Sequence, residues 1–199
     1  MKNKLGKKLY NLREAFCHLV KAFVTIPYLS KAKRNKEISE EFQERIMLAV
    51  TSVNGCAMCS YAHTKMALEA GLSEKEIRQL LETEDRENIP SEELDAIMFA
   101  SYYAETRAKV DKNIWNKILN DYGKKKALGI LGAIRIITVG NVYGIALGSF
   151  ISRFKKDKSG RDERTTIAYE LVMLITFIPF VLIALILSFF LRIFRINLI

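Results

Sequence analysis

Cysteine is scarce in this chain, with three among 199 residues. That is too few for a disulfide-scaffolded secreted domain. Alternating β-type runs separated by hairpin turns are missing throughout, which excludes sheet-built fold classes. No module concentrates Lys and Arg in the manner of a nucleic-acid reader, so a nucleic-acid partner is not expected. The basic start is not followed by an uninterrupted apolar core or a small-residue cleavage site. The N-terminus therefore does not read as a secretory signal.

The chain does carry an uneven charge. The overall +9 hides a net of +9 over residues 1–36 and of −8 over residues 37–112. The total therefore describes no uniform basic surface. Hydropathy is uneven as well. Residues 1–164 read as a soluble or peripheral protein, and the remainder as lipid-facing.

Helical spacing dominates. Leu5, Leu9, Leu12, Phe16, Leu19 and Phe23 recur at steps of four and three, one face of an amphipathic helix. Lys2, Lys4, Lys7, Lys8, Arg13 and Lys21 occupy other positions. Such a helix suits an anionic membrane surface or a domain core equally. Pro27 is expected to end it, with an exposed basic connection over residues 31–36. Cys17, in this apolar stretch, reads as a buried inert thiol.

Residues 38–53 form the next expected helix, broken by Asn54-Gly55. Another runs from about Cys56 to Ala70, with Gly71 as a natural terminator. Ser73 and Glu76 form a capping box for a short helix over residues 74–82. Residues 84–89 read as a polar loop. Pro90-Ser91 starts a helix reaching about Lys109. Asp111 opens a further helix that Gly123 closes. Residues 127–150 are long and apolar, with Gly140, Gly144 and Gly148 as a small-residue stripe. Arg135 near the middle is costly in lipid, so a buried core helix is expected rather than a second span. The fold class is all-α, a bundle of about six or seven helices.

Residues 153–166 form a charged linker, and residues 167–195 a transmembrane helix with a short tail. Within it, residues 171–191 carry no charge and extend about 31 Å at helical rise, the thickness of a hydrocarbon core. Arg153, Lys155, Lys156, Lys158, Arg161 and Arg164 precede the run, whereas Arg192 and Arg195 follow it. That asymmetry predicts a single-pass cell-membrane protein whose N-terminal part faces the cytoplasm.

The chemistry-bearing residues are Glu44, Cys56, Cys59 and His63. On a helix, Cys56, Cys59 and His63 fall at steps of three and four and share a side. Sulfurs three residues apart approach closely enough for a disulfide. The expected helix start at Cys56 supplies free N–H groups and a positive dipole end, which stabilise a thiolate, the attacking species in exchange. His63 can take a proton from a thiol. Glu44, on the preceding helix, can orient His63 or pass the proton on. Other readings of the same residues stay open: a metal-binding sensor using Cys56, Cys59 and His63, with Glu44 available as a fourth ligand, a pair of inert core thiols, or a Glu44 that belongs to a polar surface with Glu40 and Glu41.

The pattern Glu44-x11-Cys56-x2-Cys59-x3-His63 resembles the alkylhydroperoxidase D-like branch of the carboxymuconolactone decarboxylase superfamily. Asn54-Gly55, Gly71-Leu72-Ser73 and the stretch from Ile134-Arg135 to Gly140-Asn141-Val142-Tyr143-Gly144 extend the likeness over residues 38–150. The resemblance implies an all-α domain, here spanning residues 37–152, that works as a homo-oligomer. It implies a thiol-dependent peroxidase or disulfide reductase. Cys59 would attack, pass through a sulfenic acid and close a redox-active disulfide with Cys56, served by a Glu44–His63 proton relay. Two departures stand out. Met58 occupies the place of a second histidine, and the apolar tail is additional. Decarboxylases proper lack the cysteine pair, so lactone decarboxylation is not expected.

The sequence thus predicts a membrane-anchored, peroxidase-type thiol oxidoreductase acting on a peroxide or a disulfide. Its electrons would come from an external thiol or a peroxiredoxin-like protein, with no organic cofactor. The alternative of another class is a non-enzymatic membrane adaptor or assembly protein that keeps the fold for oligomerisation.

Overall fold

Asn11 begins the first helix by a reciprocal cap. Its side chain accepts from the Glu14 N–H, and its own N–H donates to Glu14 Oε2, both at 2.9 Å. The computed structural model describes residues 8–82, 88–155 and 160–194. Leu5, Lys2, Lys4, Lys7, Lys156, Lys158, Arg195 and most of the expected 84–89 loop lie outside them.

Helix α1 covers Leu12–Arg34 and does not stop at Pro27. A proline inside a helix removes a hydrogen bond and is unfavourable by about 3 kcal/mol. Packing outweighs this here. A Cβ on Gly129 would lie 2.7 Å from Ala32 Cβ, and one on Gly132 would lie 2.9 Å from Leu29 Cβ. The two glycines let the second half of α1 rest directly on its neighbour. Cys17 is exposed, contrary to expectation. It points away from the face on which Ala15, His18, Leu19 and Ala22 are buried.

Helix α2 spans Glu40–Asn54 and α3 spans Ala57–Ala70. Between them Gly55 sits at φ 76°, a left-handed conformation that glycine adopts without strain. The chain therefore reverses within two residues, and Cys56 becomes the N-cap of α3. Helix α4 follows as Glu74–Glu82, with the Glu76 N–H bound to Ser73 Oγ at 3.3 Å.

Helix α5 is Ser91–Glu105, ending before the expected Lys109. Arg107 and Ala108 both take positive φ, which no helix accommodates. Arg107 is held in that turn by Glu14 and by the Lys8 and Leu9 carbonyls, and its guanidinium lies 4.1 Å from the Tyr10 ring centre.

Helix α6, Lys112–Arg153, starts at an Asp111 cap and is interrupted at Gly123, where φ 69° and ψ 154° divide it in two. Its second half is the central helix of the molecule. Ile130, Leu131, Ile134, Arg135, Asn141 and Ala146 are all buried. Burying each Ile or Leu contributes about 1.5–3 kcal/mol. Arg135 donates to the Tyr103 hydroxyl at 3.2 Å. This stretch packs in the core, although by length and composition α6 is also long and apolar enough to cross a membrane.

One apolar cluster joins α2, α4, α5 and α6 around Ile46, Leu48, Ile97 and Ile134. Arg45 reinforces it, bonding Glu76 of α4 at 2.6 Å and Glu93 of α5 at 2.9 Å. A second cluster joins α1, α6 and the last helix α7, Ile167–Ile193, through Leu19, Val20, Val142, Tyr143, Met173 and Ala184. At the entrance to α7, Arg153 holds Glu170 through two bonds of 2.6 and 2.8 Å, and Thr165 donates to the same carboxylate. Among the described residues every regular element is a helix.

Candidate active site

Cys56 and Cys59 are joined by a disulfide, with Cα atoms 5.2 Å apart. The geometry follows from the cap. Cys56 stands outside the first turn of α3 and Cys59 inside it, and the Cys59 N–H donates to Cys56 Sγ at 3.2 Å. A thiolate at Cys56 would therefore face an unpaired helix N–H and the positive end of the helix dipole.

The two sulfurs differ in access. Cys56 is fully buried, whereas Cys59 keeps 8% exposure. Cys59 Sγ also lies 3.4 Å from the Gly140 carbonyl oxygen, which can accept the thiol proton when the bond is reduced. One turn of α6 further on, a Cβ at Gly144 would sit 2.7 Å from Cys59 Sγ and 2.9 Å from Cys56 Sγ. Only a glycine lets the backbone of α6 cover both sulfurs. The next glycine, Gly148, similarly faces Met58, whose Cβ would be 3.2 Å away.

His63 stands one turn beyond Cys59. Its Nδ1 is 2.7 Å from Glu44 Oε2. Glu44 is 3% exposed, so it does not belong to a polar surface with the exposed Glu40 and the half-buried Glu41. Its other oxygen accepts from Gln43 Nε2 at 3.3 Å. A carboxylate bound to Nδ1 fixes the ring and leaves Nε2 for proton exchange. A small pocket of about 180 Å³ opens beside Glu44, lined also by Gln43, Lys33, Met66 and Glu69.

The structure thus joins all four expected residues in two pairs, Cys56 with Cys59 and Glu44 with His63, on α3 and the facing side of α2. Three contributions to the site are not legible in sequence: those of Gly144 and Gly140, whose spacing reads as a stripe for helix packing, and the buried hydrogen bond from Thr51 Oγ1 to Asn141 Oδ1 at 3.1 Å that ties α2 to α6. The four-residue spacing of the glycines was the available signal. Among the described residues no group of three or more His, Cys, Asp and Glu is placed to hold a metal ion. The metal-sensor alternative receives no support from this geometry.

The sequence model of the carboxymuconolactone decarboxylase family matches residues 19–85. That segment runs from within α1 to just past α4 and includes Glu44, Cys56, Cys59 and His63. No curated protein and no solved structure gives a significant match.

Proposed function

We propose that this protein is a thiol-dependent peroxidase or disulfide oxidoreductase of the alkylhydroperoxidase D type, held at a membrane by α7. The observation that carries the reading is a closed dithiol pair at a helix start, with a carboxylate-bound histidine one turn away. In the reduced enzyme the Cys59 thiolate attacks the outer peroxide oxygen. The O–O bond breaks, an alcohol leaves with one proton, and Cys59 becomes a sulfenic acid. The Cys56 sulfur then attacks Cys59, water departs, and the disulfide forms. An external dithiol returns two electrons and two protons. His63, oriented by Glu44, moves the proton at the thiol and at the leaving oxygen.

The greater exposure of Cys59 supports its role as the attacking sulfur. Met58 carries no proton, so in this reading the Glu44–His63 pair acts without a second imidazole. The face of α3 around the site is open and mixed, with Tyr61 80% exposed, Met58, Met66 and Leu68 around it, and the exposed Lys65–Glu69 pair among them. Such a surface suits contact with another copy of the chain or with a partner dithiol protein. Helix α7 contains an 18-residue window of mean hydropathy 2.9, and the basic residues preceding it favour the cytoplasmic side for the domain.

The test is to reduce the purified protein, add organic peroxide and follow the thiols by mass. Loss of two hydrogens across Cys56 and Cys59, reversed by a dithiol, is the expected result. Cys59→Ser should abolish peroxide consumption. Unreactive thiols in the intact protein would instead favour the adaptor reading.

A further inference from the structure

Helix α7 does not project from the domain. Its inner face is buried from one end to the other: Glu170, Met173, Ala184 and Ser188 are each at most 1% exposed. Phe177 stacks on Tyr143 of α6 with ring centres 4.6 Å apart, and Phe180 meets Phe16 of α1 at 5.2 Å. Residues 170–188 alone cover about 27 Å at helical rise. The docked length is therefore close to the thickness of a hydrocarbon core, about 30 Å.

The outer face is equally continuous. Leu171, Ile175, Ile178, Leu182, Ile186 and Phe190 are all exposed, with Ile175 at 72%. This stripe carries no charge. The polar side chains along the helix satisfy themselves: Thr176 Oγ1 donates to the Val172 carbonyl at 2.7 Å, and Ser188 Oγ on the inner face to the Leu185 carbonyl at 2.8 Å. A surface built for a protein partner offers about one hydrogen bond per 100–200 Å². This one offers none from its side chains, which is the condition that lipid imposes. Exposed basic residues stand at both ends, Lys155 and Arg161 before the helix and Arg192 at its close, where anionic headgroups would meet them.

A helix fastened lengthwise to α1 and α6 cannot cross a bilayer alone. It would carry Lys21 of α1 into the core, along with the elements behind α6. The domain displays exposed charge, including Lys117 and Asp121 in the first half of α6 with Asp95 of α5, and Lys65 with Glu69 of α3. Charges carried into the hydrocarbon core are strongly unfavourable.

We propose that α7 in its docked state lies in the membrane plane, with its outer stripe sunk in the acyl region of one leaflet and α1 and α6 riding above it. The occupant of the stripe is a bilayer leaflet containing anionic lipid. This inference rests on the membrane reading above and refines it, replacing a single crossing by a tangential seat. A crossing would require α7 to leave Tyr143 and Phe16 first.

The experiment uses the full chain with Cys17→Ser, oxidised so that Cys56 and Cys59 do not react. Leu171→Cys, Ile178→Cys and Phe190→Cys variants are labelled with an environment-sensitive dye and reconstituted in vesicles of phosphatidylcholine and phosphatidylglycerol. Lipids brominated at shallow or deep acyl positions report depth. All three labels at the same shallow depth is the expected result. A deep label at Ile178 between shallow ones at the ends means crossing and overturns the inference while leaving the membrane reading intact. No quenching at any position overturns both, and a dimer by light scattering would then assign the stripe to a second copy. As an independent check, Tyr143→Cys with Phe177→Cys should crosslink through a short bis-maleimide in vesicles; failure there, with efficient crosslinking in neutral detergent, shows that lipid undocks α7 and also overturns the inference.

Discussion

Glu44 Oε2 and His63 Nδ1 meet at 2.7 Å across the α2–α3 hairpin, with the carboxylate sealed from solvent and the imidazole reaching toward it. The contact depends on the reversal at Gly55, which brings the two helices face to face. It gives one ring nitrogen a fixed partner and releases the other for chemistry.

Glu44→Gln keeps the size of the side chain and removes the charge that orients the ring. Peroxide consumption should fall about 100-fold, the lower end of what a positioned acid–base group contributes. The disulfide should still form slowly, and the unfolding midpoint should move little. Stopped-flow thiol oxidation alongside a urea melt separates these outcomes. An unchanged rate would remove Glu44 from the mechanism.

Gly144→Ala tests the cover over the sulfurs. The added methyl would lie 2.7 Å from Cys59 Sγ, so α3 or α6 must shift. Overpacking of this kind costs about 1–3 kcal/mol. Denaturant unfolding should show that loss, and oxidation of the dithiol should slow. Gly140→Ala is the control, because its Cβ would meet only Ile137 Cδ1, at an ordinary 3.6 Å.

Arg45→Met removes the cation shared by Glu76 and Glu93. Burial raises the Glu93 pKa, and Arg45 pulls it back. Without Arg45 the carboxylates are left largely enclosed and unpaired. A loss of about 3 kcal/mol is expected from urea unfolding. A loss below a few tenths of a kcal/mol would show the ion pairs to be decorative.

His18 makes the fold acid-sensitive. Burial, helped by the Lys21 charge, lowers its pKa from 6.5 to about 4. The unfolded chain therefore binds a proton that the folded chain refuses between these values. Stability present above pH 6.5 should be lost as pH falls through that window, by about 3 kcal/mol at its foot. His18→Gln should flatten this part of the profile. Unfolding midpoints measured from pH 7 to pH 4.5 in both proteins provide the comparison; parallel curves would contradict the assignment.

Much of this architecture is carried by local signals. Asn54-Gly55 before Cys56, Gly71, Ser73 with Glu76, and Asp111 mark helix ends by backbone chemistry within a few residues, and a reader of sequence sees them. The Glu44–His63 pairing was also legible, because a hairpin of two helices places those positions opposite each other. Pro27 misled because its local penalty was outweighed by Gly129 and Gly132, over a hundred residues away. The end of α5 was misread for a similar reason: Arg107 takes its positive φ in a turn fastened by Glu14 and the Lys8 carbonyl. Cys17 lay one position off the buried face, a distinction that an apolar stretch does not reveal. Gly144 was visible as a small residue, but its role needed the sulfurs brought beneath it.

The unequal access of the two sulfurs imposes a division of labour. On the proposed reading, a visiting macromolecular thiol would find one doorway, through Cys59, and any covalent hybrid with such a visitor would be anchored at that atom. Cys56, shut beneath the backbone of α6, would deal only with its neighbour, and the visitor's own second thiol would have to complete the release of the reduced pair.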